Sequence, residues 1–252
     1  MTSKAEQLTG VLRKLRLPGF QGHHESLAIT AEKEGWSFGQ FLHELARLEL
    51  EERDQRRIRR LLKQSCLPEE KSLSTLELSC FPSKLRRQIA TLCEGEFLHS
   101  STNLLLFGLP GRGKSHIACA IGHELIRRGY RVLFVSTAIL VQRLLTAKRE
   151  LCLEQYLKKL DRFDAVIIDD LGYVQQSEEE MKVLFTFLAE RYERKSVILS
   201  SNLVFSEWDR IFKDPLTTTA AIDRLVHHSV VIVVEGPSYR EREATRRTKA
   251  GS

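Results

Sequence analysis

Apolar positions in the first third of the chain recur with a helical period. Leu8, Val11, Leu12 and Leu15 fall at i, i+3, i+4 and i+7, and Pro18-Gly19 stops that helix. A second helix starts at Ser37, with Gln40 three residues on as a capping box. Its apolar stripe is Phe38, Phe41, Leu42, Leu45 and Leu48. The same helix then turns basic through Arg53, Arg56, Arg57, Arg59, Arg60 and Lys63. Pro68 and the polar stretch Glu69–Ser74 read as a linker. A small all-helical N-terminal domain is therefore expected over residues 1–70 and a second domain over 71–252.

The pattern changes from about residue 81. A helix around Ser83–Leu98 leads into short apolar runs: Leu104–Phe107, Val132–Val135, Ala165–Ile168, Val197–Leu199 and Val230–Val234. None alternates, as expected of strands buried on both faces. Helices are expected between and beyond them, near 114–127, 138–160, 178–193, 206–212 and 218–227. The one at 178 carries a capping box, Ser177 with Glu180, and a stripe of Met181, Leu184, Phe185, Leu188 and Tyr192. Alternating strands and helices predict an α/β fold, a parallel five-stranded sheet with flanking helices.

Composition narrows the class. With 42% hydrophobic and 29% charged residues, the chain of 252 residues is globular rather than disordered or fibrous. A net charge of +6 permits a nucleic-acid partner without requiring one. The cysteines, Cys66, Cys80, Cys93, Cys119 and Cys152, are odd in number and hold no C-x-x-C spacing, which argues against a disulfide framework or a Cys-rich zinc site. No apolar run reaches the length of a membrane helix, and charges interrupt the N-terminus, so a cytoplasmic protein with no membrane partner is expected.

The chemistry begins at Gly108, Leu109, Pro110, Gly111, Arg112, Gly113, Lys114 and Ser115. This run matches G-x-x-x-x-G-K-[ST] and lies between a buried strand and a helix. Its glycines let backbone N–H groups close around phosphates, and the helix start adds its positive dipole end. Lys114 supplies a cation to the β- and γ-phosphates, Ser115 a hydroxyl to Mg²⁺, and His116 follows in the candidate ATP-binding set. Ala165–Asp170 is an apolar strand ending in two carboxylates at the carboxyl edge of the sheet. Asp169 is the candidate Mg²⁺ ligand and Asp170 the group that orients or activates water. Asn202, closing Val197–Asn202, is a candidate to hold that water or touch the γ-phosphate; an ordinary strand-end turn also uses Asn. Arg224 on the last helix has the arginine-finger chemistry toward a neighbouring subunit, with pairing to Asp223 or Asp209 as the plainer reading.

Taken in order, these elements resemble an AAA+ ATPase core. The runs Ile168–Tyr173, Ser200–Asn202 with Phe205–Trp208, Asp223–His228 and Ser238–Arg240 resemble IstB, the helper ATPase of a bacterial insertion-sequence transposon. That family is similar to the DnaC and DnaI helicase loaders. The resemblance implies an ATPase that binds double-stranded DNA, forms homo-oligomers with ATP and hands target DNA to a transposase. A replicative helicase loader is the alternative, and a stand-alone nucleotide kinase leaves Arg224 unexplained. Two features depart from the broader AAA+ pattern: Asp stands at 170 where Glu is usual, and too little chain follows residue 234 for a full C-terminal lid, leaving Arg240 as a weak stand-in for a lid arginine.

DNA contact is expected through backbone phosphates with little sequence preference. The segment after the second strand carries Arg143, Lys148, Arg149, Lys158 and Lys159, where initiator-type relatives place an extra DNA-contacting helix. Arg53–Lys63 and the tail residues Arg240, Arg242, Arg246, Arg247 and Lys249 are further basic stretches. For each the plainer reading is a solvated face, with the segment after the second strand favoured for DNA; Glu49, Glu51, Glu52 and Asp54 precede or overlap Arg53–Lys63 and can pair with it. The pairs His23-His24 and His227-His228 lack the spacing of a helical metal site and read as loop and helix-end residues.

Overall fold

The computed structural model describes residues 4–172, 177–208, 215–236 and 238. Tyr173, Asp209 and the tail arginines from Arg240 onward lie outside the described residues, as does most of the helix expected over 206–212. The chain forms two compact units, Met1–Arg60 and Leu61–Ser252. Among the described residues no helix is long and apolar enough to cross a membrane.

The first unit holds α1 (Lys4–Lys14), α2 (Pro18–Glu34) and most of α3 (Phe38–Ser65). Pro18-Gly19 ends one helix, as expected, and also starts the next. Helix α2 has no clear apolar stripe, and periodicity alone misses it. Glu49 of α3 supplies its missing N-cap, accepting the N–H of Gly19 at 2.6 Å and of Phe20 at 3.4 Å. A Cβ on Gly19 would lie 2.8 Å from the Glu49 Cα, so only glycine lets the two helices approach this closely. Gly35, at φ 66°, closes α2 in the left-handed region. Ser37 and Gln40 form the reciprocal capping box that the spacing predicts. The expected stripe on α3 is only half used. Leu45 is buried, whereas Phe38 is 95% exposed and Leu42 59%, because the packed face runs through Leu45 and Glu49.

The second unit is a three-layer α/β core. Its strands are β1 (Asn103–Phe107), β2 (Val132–Ser136), β3 (Ala165–Leu171), β4 (Ser196–Ser201) and β5 (Ser229–Val233), in the parallel order β2-β3-β4-β1-β5. Between them run α5 (Lys114–Arg127), α6 (Thr137–Arg149), α7 (Leu153–Leu160), α8 (Glu178–Arg191) and α9 (Pro215–Val226), with α4 (Ser83–Glu94) ahead of β1. Leu105 and Phe107 face a core shared with α6, α8 and α9. On the opposite face α5 packs so closely that a Cβ on its Gly122 would lie 2.8 Å from Ile167 Cδ1. Burial on both faces, expected of every strand, fails at β5: as an edge strand it leaves Val231 42% and Val233 55% exposed.

Two further expectations change. The single helix over 138–160 is two helices, broken where Leu151 adopts φ 57°. The polar stretch 69–74 is tied down along α5: the Nε2 of His123 meets the Pro68 carbonyl at 3.0 Å, and that of His116 meets the Ser72 carbonyl and Thr75 Oγ1, both at 3.1 Å.

At the amino ends of the strands, Asn103 joins several elements. Its N–H donates to the His228 carbonyl at 2.7 Å, its Nδ2 to the Leu225 carbonyl at 3.2 Å, and its Oδ1 accepts from Val197 at 2.8 Å. Nearby, the buried Arg191 donates to the carbonyls of Leu160, Phe163, Asp164 and Ser196, binding the turn before β3 to the start of β4. Burial pulls its guanidinium down to about 10, against the opposing charges of Asp161 and Asp164.

Candidate nucleotide-binding site

The strand order sets the site. Loops after β3, β4 and β1 emerge at one edge, and β4 lies between the other two. With neighbouring strands ~4.8 Å apart, the ends of β3 and β1 stand ~10 Å apart, room for a phosphate group and a cation.

After β1 the backbone turns through Gly108 (φ 148°), Gly111 (φ 79°) and Gly113 (φ 92°). Glycine is required at 108 on two grounds, since a Cβ there would also lie 2.5 Å from the Val234 carbonyl oxygen. Gly113 caps α5 without any side-chain acceptor, so the helix start keeps its N–H groups for an anion. Lys114 is buried, and its Nζ donates to the carbonyls of Gly108 at 2.6 Å and Leu109 at 3.1 Å, which holds the cation inside the loop. Leu109 and Pro110 are exposed, Arg112 and Ser115 half-buried. The His116 ring turns away toward Ser72 and Thr75, and burial lowers its pKa. Two further side chains lie beside the loop, Phe81, which no motif points to, and Ser238, from the run that resembles IstB. Phe81 reaches within 3.5 Å of where a Gly113 Cβ would be, and Ser238 packs on Gly111.

Asp169 is buried near the end of β3, ahead of the exposed Asp170 and the buried Leu171. Its carbonyl accepts from Thr137 Oγ1 at 2.9 Å, and its Oδ1 accepts from Ser200 Oγ at 2.5 Å. The Cys119 thiol is pushed up to about 12 by burial and in part by the Asp169 charge. Cys119 lies one turn beyond Ser115 on α5, a helix that packs against β3. Asp170 is exposed, at φ 60°, with its N–H on Ser200 Oγ at 3.0 Å. Asn202 follows β4, and its Oδ1 is buried with no hydrogen-bond partner among the described residues. The Ser201 hydroxyl fixes this turn through the carbonyls of Leu171 and Leu203. Phe205 and Trp208 pack beneath it, their rings 4.6 Å and 6.2 Å from that of Phe107. The phosphate loop, both aspartates and Asn202 thus share one edge. Ser115 and Asp169 offer the hard oxygen donors that Mg²⁺ takes alongside phosphate, and the orphaned Asn202 oxygen suits a bound water, so the residues fit a Mg–nucleotide.

Arg224 is not drawn into that edge. On α9 it donates to the Ala220 carbonyl at 3.4 Å, and its guanidinium lies 4.7 Å from the Phe185 ring centre of α8. The basic residues after β2 fall on two helices: Arg143, Lys148 and Arg149 on the exposed side of α6, Lys158 and Lys159 on α7. Lys158 pairs with Glu154 at 2.6 Å, an exposed contact that competes little with another anion. In the first unit Arg53 and Arg56 pair with Glu49 at 2.7 and 3.5 Å. His227 and His228, expected as helix-end residues, gather on the exposed Glu193.

The fold and the edge constellation define a P-loop nucleotide-binding protein of AAA+ type. Solved structures share the fold: DnaI superposes with a TM-score of 0.56 at 20% identity, over 68% of this chain and 96% of that one. DnaA from Aquifex aeolicus, solved with AMPPCP, gives a TM-score of 0.56 at 19% identity over 74% of this chain and 57% of its own. The chain belongs to the IstB-like ATP binding protein family, whose model matches residues 10–247. It is 45% identical over 235 residues to an insertion sequence ATP-binding protein of Sinorhizobium fredii, covering 93% of this chain and 79% of that one. The IS21 ATP-binding protein of Pseudomonas aeruginosa is 36% identical over 245 residues, 97% of this chain and 91% of its own.

Proposed function

We propose that this chain is a DNA-binding ATPase that assists transposition, assembling with ATP as a homo-oligomer on target DNA in the cytoplasm and delivering that DNA to a transposase. The observation that carries the reading is the meeting of the phosphate loop, two carboxylates and an unpartnered Asn202 oxygen at adjacent strand ends.

In this reading the backbone of 108–115 and Lys114 hold the triphosphate. Ser115 and Asp169 hold Mg²⁺, which when bound offsets charge on the phosphates. Asp170, exposed at the strand end, accepts a proton from or orients the attacking water, and Asn202 Oδ1 accepts a hydrogen bond from that water. Arg224 reaches the γ-phosphate of a neighbouring copy. Arg143, Lys148, Arg149, Lys158 and Lys159 contact DNA phosphates. Sequence identity spread over nearly the whole chain with insertion-sequence proteins supports a transposition helper over a helicase loader, because the likeness to DnaI concerns the fold alone.

The test is ATP turnover and assembly on duplex DNA by the purified chain, with imaging of the complex and addition of an insertion-sequence transposase. ATP-dependent oligomers on DNA that capture the transposase are expected. Turnover without DNA binding, or capture of a hexameric helicase in place of the transposase, overturns the reading.

A further inference from the structure

The pairing of β3 with β4 is irregular at one place. Ile168 pairs with Leu199 and Leu171 with Ser201, so two residues of β3, Asp169 and Asp170, oppose the single residue Ser200. This is a bulge, a device that bends a strand and re-aims its side chains. In a regular strand, successive side chains point to opposite faces of the sheet. Here Asp170 adopts φ 60°, the left-handed region that is uncommon for non-glycine residues and that Asp and Asn enter most readily.

What holds it is Ser200. The side chain is fully buried, and its one hydroxyl serves both aspartates: it donates to Asp169 Oδ1 at 2.5 Å and accepts the Asp170 N–H at 3.0 Å. A hydroxyl has one hydrogen and two acceptor sites, so it can do both at once. The donated bond fixes the rotamer of Asp169 and occupies one of its two oxygens. The accepted bond fixes the kink from which the Asp170 carboxylate projects.

We propose that Ser200 is the positioning residue of this carboxylate pair, setting through one hydroxyl both the cation-binding orientation of Asp169 and the catalytic orientation of Asp170. The proposal rests on the ATPase reading above. Ser200 touches neither nucleotide nor water in it; it acts through the two aspartates. Partners of this kind, one bond removed from a metal ligand, typically change metal affinity or activity ~10–100-fold when removed.

The test compares Ser200→Ala, which removes the hydroxyl, with Ser200→Thr, which restores it. Three quantities are read: affinity for a fluorescent ATP analogue without Mg²⁺, the Mg²⁺ concentration that half-saturates the metal-dependent part of that binding, and kcat and KM for ATP. Ser200→Ala is expected to keep its Mg²⁺-free affinity and its KM, to need ~10-fold more Mg²⁺, and to lose kcat ~10–100-fold. Ser200→Thr is expected to recover most of both losses. Ser200→Cys, similar in size with a weak donor, should behave like the alanine variant and provides the comparison if that variant fails to fold.

Unchanged kcat and Mg²⁺ half-saturation in the hydroxyl-free variants overturns the proposal. So does an equal fall in Mg²⁺-free affinity that threonine does not rescue, because that is the signature of general damage to the fold. Asp170→Asn is assayed beside them. If it turns over ATP like the wild type, the catalytic reading itself fails; if it is impaired while Ser200→Ala is not, only the role of Ser200 fails.

Discussion

Glu49 Oε2 accepts the backbone N–H of Gly19 at 2.6 Å, across a helix contact that has no space for a Cβ on that glycine. One carboxylate therefore caps α2 from α3 and also receives Arg53. Burial pushes this carboxyl up, but the bonds from Arg53, Gly19 and Phe20 together hold it below its ordinary value. A depressed folded value means the stabilisation is present above the unfolded carboxyl pKa and is lost as pH falls through the folded one. Amide protection in the first turn of α2, taken relative to the intrinsic exchange rate at each pH, should fall as the solution is acidified below about pH 4.3, the unperturbed value. Glu49→Gln should abolish that dependence and destabilise the helical unit by about 1.5–3 kcal/mol at neutral pH.

Lys114→Ala should weaken nucleotide binding about ten- to a hundredfold, because it removes a buried cation worth about 1.5–3 kcal/mol to a phosphate. Titration with a fluorescent ATP analogue measures this. Undiminished affinity would remove the loop at 108–115 from the nucleotide site.

Asp170→Asn should bind ATP normally and lose turnover by about 10²–10⁴, the range of a lost general base. Asparagine tolerates the left-handed backbone, so the kink survives and only the charge goes. Steady-state hydrolysis alongside equilibrium binding separates the two effects; equal turnover would move water activation elsewhere.

Arg224→Ala should leave the monomer folded and able to bind ATP while turnover falls ~10³-fold or more. Mixed with Lys114→Ala subunits, themselves inactive, it should recover part of the activity, since some sites then pair an intact Lys114 with a neighbour's intact Arg224. Mixed assemblies that form without recovering activity would place Arg224 outside the neighbour's site.

Arg191→Leu should cost on the order of 3–5 kcal/mol of stability, the scale of breaking a buried charged network, by leaving carbonyls of the β3 and β4 approaches without a donor. Urea denaturation reads the loss. Arg191→Lys should recover only part, because one ammonium cannot reach the spread of carbonyls that the guanidinium spans.

Much of the second unit was legible because buried strands announce themselves as unbroken Val, Ile and Leu runs, and the phosphate loop has a fixed spacing. The first unit was harder. Helix α2 is set by a glycine contact and a cap from α3, neither of which leaves a periodic trace. The break at Leu151 and the bulge at Asp170 depend on φ, which non-glycine side chains do not advertise. Ser200 reads as one polar residue among several until the register pairs it with both aspartates. The placement of Asp169 and Asp170 at a strand end was readable, but what orients them was not.

Asn103 opens the strand that ends at Phe107, one residue before Gly108, and its side chain grips the carbonyl of Leu225, the neighbour of Arg224. The strand between is a stiff rod of five residues, ~17 Å at the usual rise. If Arg224 serves a neighbour's nucleotide as proposed, it is thus tied to the same strand that leads into the phosphate loop. In the proposed reading, a shift at either end of this strand would be carried to the other, which would couple occupancy of one nucleotide site to the next.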